Sequence, residues 1–242
     1  SSPTTNQLAL LGGARWVEPG MGLATEASRA FARLAGETER IFGFPFLVPT
    51  TQGRTAERIW TKINVRAETV VCGNMLFPST RAHIEMNGAK LVDVTGDGAY
   101  DLTSQEPFKG NLDPAKLRAA IAEHGAERIS CVYVELAVNA CGGHPVSLAN
   151  LKEARAIAAA HEIPLFLDGC RILENSLLFK RGEAGYQEKS IREIVGETCA
   201  LADGVTMSAL KDLLVSSGGF NLVRQQADYR KAALQCVFGG AQ

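Results

Sequence analysis

Short apolar strands alternate with longer amphipathic helical stretches from residue 26 to residue 224, and this alternation limits the fold more than any other feature of the chain. Helical periodicity covers 26–42, 54–64, 114–124, 148–161 and 191–201. Strand composition covers 69–72, 90–94, 129–136, 164–168, 204–208 and 220–224. Three helix starts carry cap signatures: Asp113 before Pro114, Ser147 before Leu148, and Ser190 with Glu193 as a capping box. Parallel neighbours need a crossover, and a helix is the usual crossover. The expectation is therefore an α/β fold, a mostly parallel sheet with helices on both faces.

A sheet of that kind binds ligands at the carboxyl ends of its strands. Polar residues fall at those ends: Thr50-Thr51-Gln52-Gly53-Arg54, Gly73-Asn74, Asn139, Asp168 and Ser208. No internal repeat, low-complexity tract or linker divides the core. Residues 1–23, rich in Gly, Ser, Thr and Pro without a period, read as a mobile lead-in, and residues 24–242 as one ligand-binding domain.

Composition narrows the function. With 46% apolar residues the chain can fill a substantial core. Its 25 basic and 26 acidic side chains leave a net charge of −1 and a pI of about 6.4, which gives no electrostatic reason to expect nucleic acid or an anionic membrane. Apolar runs are too short to span a bilayer, and no basic-then-apolar signal opens the sequence. Six scattered cysteines without a C-x-x-C pair argue against zinc and against a disulfide framework, so a reducing cytoplasm is expected.

Familiar nucleotide and hydrolase signatures do not occur: there is no phosphate loop, no G-x-S-x-G elbow and no H-E-x-x-H helix. His83, His124, His144 and His161 do not fall at metal-ligand spacings, so no metal site is expected. Three strand-end features remain. Asp168 ends the apolar strand Pro-Leu-Phe-Leu-Asp, where a buried anion needs a cationic partner. Arg171 could be that partner, in a local pair that pins the turn, or could serve a ligand. Ser208 and Lys211 follow a later strand, and Gln52-Gly53-Arg54 opens a helix, where backbone N–H groups and a guanidinium make an anion site. Pyridoxal phosphate uses all three: a cradle for its phosphate, a carboxylate for its pyridine nitrogen and a lysine for its aldehyde.

Four segments carry a resemblance. Residues 49–57 (PTTQGRTAE), 142–152 (GGHPVSLANLK), 167–175 (LDGCRILEN) and 207–212 (MSALKD) are similar, in order and spacing, to segments of the β-eliminating lyase family, in its tryptophanase and tyrosine phenol-lyase branch. The resemblance implies an aspartate-aminotransferase-like, fold type I large domain. It implies Lys211 as the Schiff-base lysine, Asp168 opposite the pyridine nitrogen, and Arg171 and Asn139 on the phenolic oxygen. Phe77 would stack on the ring, and Gln52, Gly53, Arg54 and Ser208 would cradle the phosphate. The implied activity is β-elimination from an amino acid to pyruvate and ammonia, by a homodimer or homotetramer. A same-fold aldolase, or a non-catalytic binding or assembly domain, is the alternative.

Departures from the family pattern carry expectations too. Leu210 stands where a second, phosphate-holding lysine is expected, which predicts weaker phosphate binding. Thr25 falls where an active-site tyrosine is expected, Leu23 and Ser216 fall on a monovalent-cation site, and Pro78 replaces a hydroxyl residue beside the stacked aromatic. The family's small C-terminal domain, which holds the substrate carboxylate, has no counterpart in this sequence, as in a fragment or a shortened relative.

Overall fold

The computed structural model describes residues 22–238. Among these, fifteen strands and longer helices follow one another: α1 (Gly22–Phe42), β1 (Phe46–Thr50), α2 (Gly53–Asn64), β2 (Val70–Gly73), α3 (Pro78–Met86), β3 (Lys90–Asp93), α4 (Pro114–His124), β4 (Ile129–Glu135), α5 (Leu148–Ala159), β5 (Leu165–Asp168), α6 (Ile172–Gly182), α7 (Ile191–Ala200), β6 (Gly204–Ser208), β7 (Gly219–Val223) and α8 (Gln226–Phe238). Most of the composition-based lead-in lies outside the described residues, and its last two positions, Gly22 and Leu23, open α1.

Seven strands form one sheet in the order β1-β7-β6-β5-β4-β2-β3. Only β7 runs against its neighbours among the described strands: β1 and β6 both pair with it antiparallel, and every other pair is parallel. The expected mostly parallel sheet is thus present, and the carboxyl ends of six strands share one edge. Alternating side chains bury both of its faces. Val132 and Val134 of β4, with Leu165 and Leu167 of β5, face α4, α5, α6 and α7, where they meet Leu117, Leu151, Ile172 and Val195. Cys131, Tyr133 and Phe166 face the other way, against Trp60 of α2 and Ile84 of α3. Val48 of β1 packs with Ile59 of α2 and Ala232 of α8.

All three cap signatures are realised. Asp113 accepts the N–H groups of Ala115 and Lys116, Ser147 accepts that of Asn150, and Ser190 and Glu193 form the reciprocal capping box. Four elements lie outside the sequence expectation: β1, α3, α6 and α8. Helix α5 also stops at Ala159, so His161 sits in the following turn. Among the described residues no helix is long and apolar enough to cross a membrane.

Candidate active site

Every sequence-expected site residue lies on the carboxyl edge of the sheet or on the loop just beyond it. Gln52 is the N-cap of α2, directly after β1, and its carbonyl accepts the N–H groups of Thr55 and Ala56. Helix geometry leaves the N–H groups of Gly53 and Arg54 without intrahelical partners, the arrangement that favours an anion. Arg54 is exposed beside them. The turn is pressed against the end of β6: a Cβ on Gly53 would lie 2.5 Å from Ser208 Cβ, so only glycine permits this approach. A Cβ on Gly219 would in turn come within 2.8 Å of Gly53 N, which makes the start of β7 the floor of the same corner.

Asp168 ends β5 and is 4% exposed. Its Oδ1 accepts the Cys170 N–H at 2.9 Å, and Cys170 Sγ accepts the Ser208 N–H at 3.0 Å, so the β5 and β6 turns are tied together. Arg171 donates to Glu174 at 2.9 Å and to Asn139 Oδ1 at 3.1 Å. Among the described residues no ion pair joins it to Asp168: Arg171 pairs with Glu174 in its own turn and reaches across to the β4 loop. Lys211 Nζ lies 4.9 Å from the centroid of the Phe77 ring, which brings the β6 loop over the β2 loop. Gln52, Gly53, Arg54, Phe77, Asn139, Asp168, Arg171, Ser208 and Lys211 therefore converge from five strand ends.

The edge also holds residues that sequence reasoning passed over. Glu57 of α2 and Glu135 at the end of β4 are each 6% exposed. Burial is the main cause that raises both carboxyls to about 7. The charge of Asp168 adds to it, and Lys211 acts the other way on both. Glu57 accepts Ser79 Oγ at 2.6 Å. Asp212, next to Lys211, accepts the N–H of Leu173 at 2.6 Å and that of Glu174 at 3.3 Å, capping α6 from the neighbouring loop. Glu135 was within reach of the reasoning that found Asp168, since it too ends an apolar strand. Glu57, on an amphipathic helix, carries no such mark.

Of the departures, Leu210 is half exposed at the site's rim, and Pro78 is the first residue of α3. The side chains of Leu23 and Thr25 lie outside the described residues.

Known proteins resemble this chain at two levels, sequence and fold. Tyrosine phenol-lyase from Symbiobacterium sp. (strain SC-1) is 42% identical over 214 residues, 88% of this chain and 47% of that protein. Tyrosine phenol-lyase from Fusobacterium nucleatum subsp. nucleatum is 46% identical over 214 residues, 88% of this chain and 46% of that protein. The chain thus spans about half the length of the curated relatives it matches. Among solved structures, a putative L-allo-threonine aldolase from Listeria monocytogenes matches with a TM-score of 0.63 at 19% identity, covering 98% of this chain and 66% of that one. An archaeal alanine:glyoxylate aminotransferase matches with a TM-score of 0.62 at 17% identity, covering 84% of this chain and 47% of that one. These structures share the aspartate-aminotransferase-like, fold type I architecture. The family model for β-eliminating lyases covers residues 23–240. That match spans nearly all of the chain, and the chain belongs to the β-eliminating lyase family.

Proposed function

We propose that this chain is the pyridoxal-phosphate-binding domain, residues 24–242, of a lyase that removes a β-substituent from an amino acid. The observation that carries the reading is the convergence of Lys211, Asp168, the Arg171–Asn139 pair, Phe77 and the Gly53–Ser208 corner on one edge. These residues fit the cofactor. A buried carboxylate suits a protonated ring nitrogen, an Arg–Asn pair suits a phenolic oxygen, and a helix N-terminus beside a serine and an exposed arginine suits a phosphate.

When bound, the cofactor supplies an electron sink for the bond broken at the substrate's α-carbon. The protein's own residues do the rest. Gln52, Gly53, Arg54 and Ser208 would hold the phosphate and so fix the ring's position. Asp168 keeps a proton on the ring nitrogen, which keeps the sink effective, because a charge-assisted hydrogen bond in a buried setting favours the charged ring. Phe77 would cover one face of the ring, and Arg171 with Asn139 would hold its oxygen. Lys211 Nζ would bond the aldehyde carbon of the bound cofactor, and as a free amine it would accept the substrate's α-proton. Loss of the β-substituent and hydrolysis give pyruvate and ammonia. A homodimer or homotetramer in the cytoplasm, acting on no nucleic acid or membrane, completes the proposal.

The test is direct. Pyridoxal phosphate added to the 242-residue chain should produce a visible absorption band, and borohydride reduction with peptide mapping should place the adduct on Lys211. An adduct mainly on Lys109 or Lys152 would reject the assignment, and absence of a band would favour a non-catalytic assembly domain.

A further inference from the structure

Asn139 reaches Arg171 from a turn that has little reason to hold its shape unaided. Ala137, two residues earlier, sits at φ +50°, a left-handed conformation that is uphill for a residue with a Cβ. Backbone bonds tie Val138 to His144 and Gly143, and side chains hold the residues on either side of it. Asn175 of α6 accepts the Ala137 N–H at 3.0 Å, and Glu135 Oε1 accepts the Asn139 N–H at 2.9 Å.

Glu135 is itself fixed from the neighbouring strand. β2 ends at Gly73, and the side chain of Asn74, fully buried, continues the β2–β4 ladder where the backbone departs. Its Oδ1 accepts the Glu135 N–H at 2.9 Å, and its Nδ2 donates to the Glu135 carbonyl at 2.9 Å and to the Gly110 carbonyl at 3.0 Å. Both backbone groups of Glu135 are therefore clamped, which sets the direction of its side chain. The second carboxyl oxygen, Oε2, is buried without a hydrogen-bond partner, on a carboxyl that also feels the Phe77 backbone amide. The Glu135 carboxyl thus lies between the Phe77 backbone amide and the Asn139 N–H, joining the loops after β2 and β4 at the site.

We propose that Glu135 is a positioning residue for the cofactor pocket: clamped by Asn74, it holds the Asn139 backbone so that the Asn139 side chain meets Arg171 where the ring oxygen would lie. The inference rests on the pyridoxal phosphate reading and deepens it by adding a residue that acts through Asn139. What matters on this account is the acceptor oxygen and not the negative charge, because the Asn139 N–H needs only an acceptor. The substitution Glu135→Gln would keep that oxygen in place, whereas Glu135→Leu would fill the space without it.

The experiment compares these two variants in the 242-residue chain, with thermal melts to verify folding. Without cofactor, amide hydrogen exchange at Asn139 should stay at the wild-type rate in E135Q and quicken at least tenfold in E135L. With cofactor, titration by visible absorption should show near wild-type affinity for E135Q and about three- to tenfold weaker binding for E135L, the range of one lost hydrogen bond. Asn139→Ala should weaken binding similarly, and the E135L/N139A double variant should be no weaker than the worse single one, since both remove the same contact. E135L combined with Arg54→Ala, on a different loop, should multiply the losses. Fully multiplicative losses for E135L with N139A, an E135Q variant as weak as E135L, or unchanged exchange at Asn139 would overturn the assignment. Failure of the functional reading looks different. A wild-type chain with no visible band overturns both, whereas a band with multiplicative losses overturns the role of Glu135 alone.

Discussion

Two residues show how tightly the site is drawn. Gly53 is where the chain comes so close to Ser208 that a methyl group has no place: its Cβ would sit 2.5 Å from Ser208 Cβ and 3.1 Å from Ser208 Cα. Gly53→Ala should therefore lower stability by about 1–3 kcal/mol, the usual cost of overpacking, and weaken pyridoxal phosphate binding with it. Ser208→Gly in the same chain should recover part of the loss, because it removes the Cβ contact and leaves the one to Cα. Calorimetry of the single and double variants checks both statements. Glu57 tests the electrostatics. Its carboxyl is raised from 4.5 to about 7, chiefly by burial, with the Asp168 charge adding and the Ser79 hydroxyl opposing. An acid raised in the folded state stabilises fully below about 4.5, and that contribution is lost as the pH climbs through about 7. Each tenfold change in proton affinity corresponds to about 1.4 kcal/mol, so the loss for this group is on the order of 3–4 kcal/mol. Glu135, raised to about 7 for the same leading reason, adds a similar decline. Glu57→Gln should thus make the fall in melting temperature of the cofactor-free chain between about pH 5 and about pH 8 shallower. A slope as steep as wild type would show that Glu57 titrates normally.

At the scale of elements, what was legible in the sequence followed from where each signal was written. Helices α2, α4, α5 and α7 carry their own caps or a regular apolar stripe, and β4 and β5 are apolar runs, so local reading finds them. Helix α6 begins at Ile172 without a cap of its own, because Asp212 supplies it from the neighbouring loop. A cap that arrives from another segment leaves no local trace. Strand β1 contains Pro49, which argues against a central strand, and it is tolerated because β1 lies at the sheet's edge. Helix α3 is short and polar, burying only Thr80 and Ile84 along its length, too few positions to show a period. The site was legible where residue type and strand end coincided, as at Asp168 and Asn74, and hidden where a buried carboxyl sits within an amphipathic helix, as at Glu57. The loop after β6 yields its own prediction. Leu210 is 48% exposed at the rim, so a lysine there would meet no packing barrier. Leu210→Lys should tighten pyridoxal phosphate binding about tenfold, the low end of what one charge-assisted hydrogen bond contributes. An absorption titration that shows no gain would place the phosphate elsewhere.

For the whole molecule, the same loop exposes Leu214 and Val215 beside Leu210, an apolar rim around Lys211. Such a patch at a binding edge favours a covered surface. The chain should run as a dimer or larger in light scattering, and a monomer that still takes up cofactor fully would count against this. The single reversed strand, β7, has a further consequence, and it concerns time. β1 hydrogen-bonds to no strand but β7, so the first strand described along the chain has no place in the sheet until the last has formed. Closing so long a loop is among the slow events of folding, because the entropy of closure precedes the contacts that repay it. The Gln52–Arg54 cradle hangs from the end of β1, and its wall, Ser208, from the end of β6. On a ribosome, then, Lys211 and Asp168 can be in place while the Gln52–Ser208 corner is still open, and that corner closes only after Val223 has emerged and turned back along the sheet.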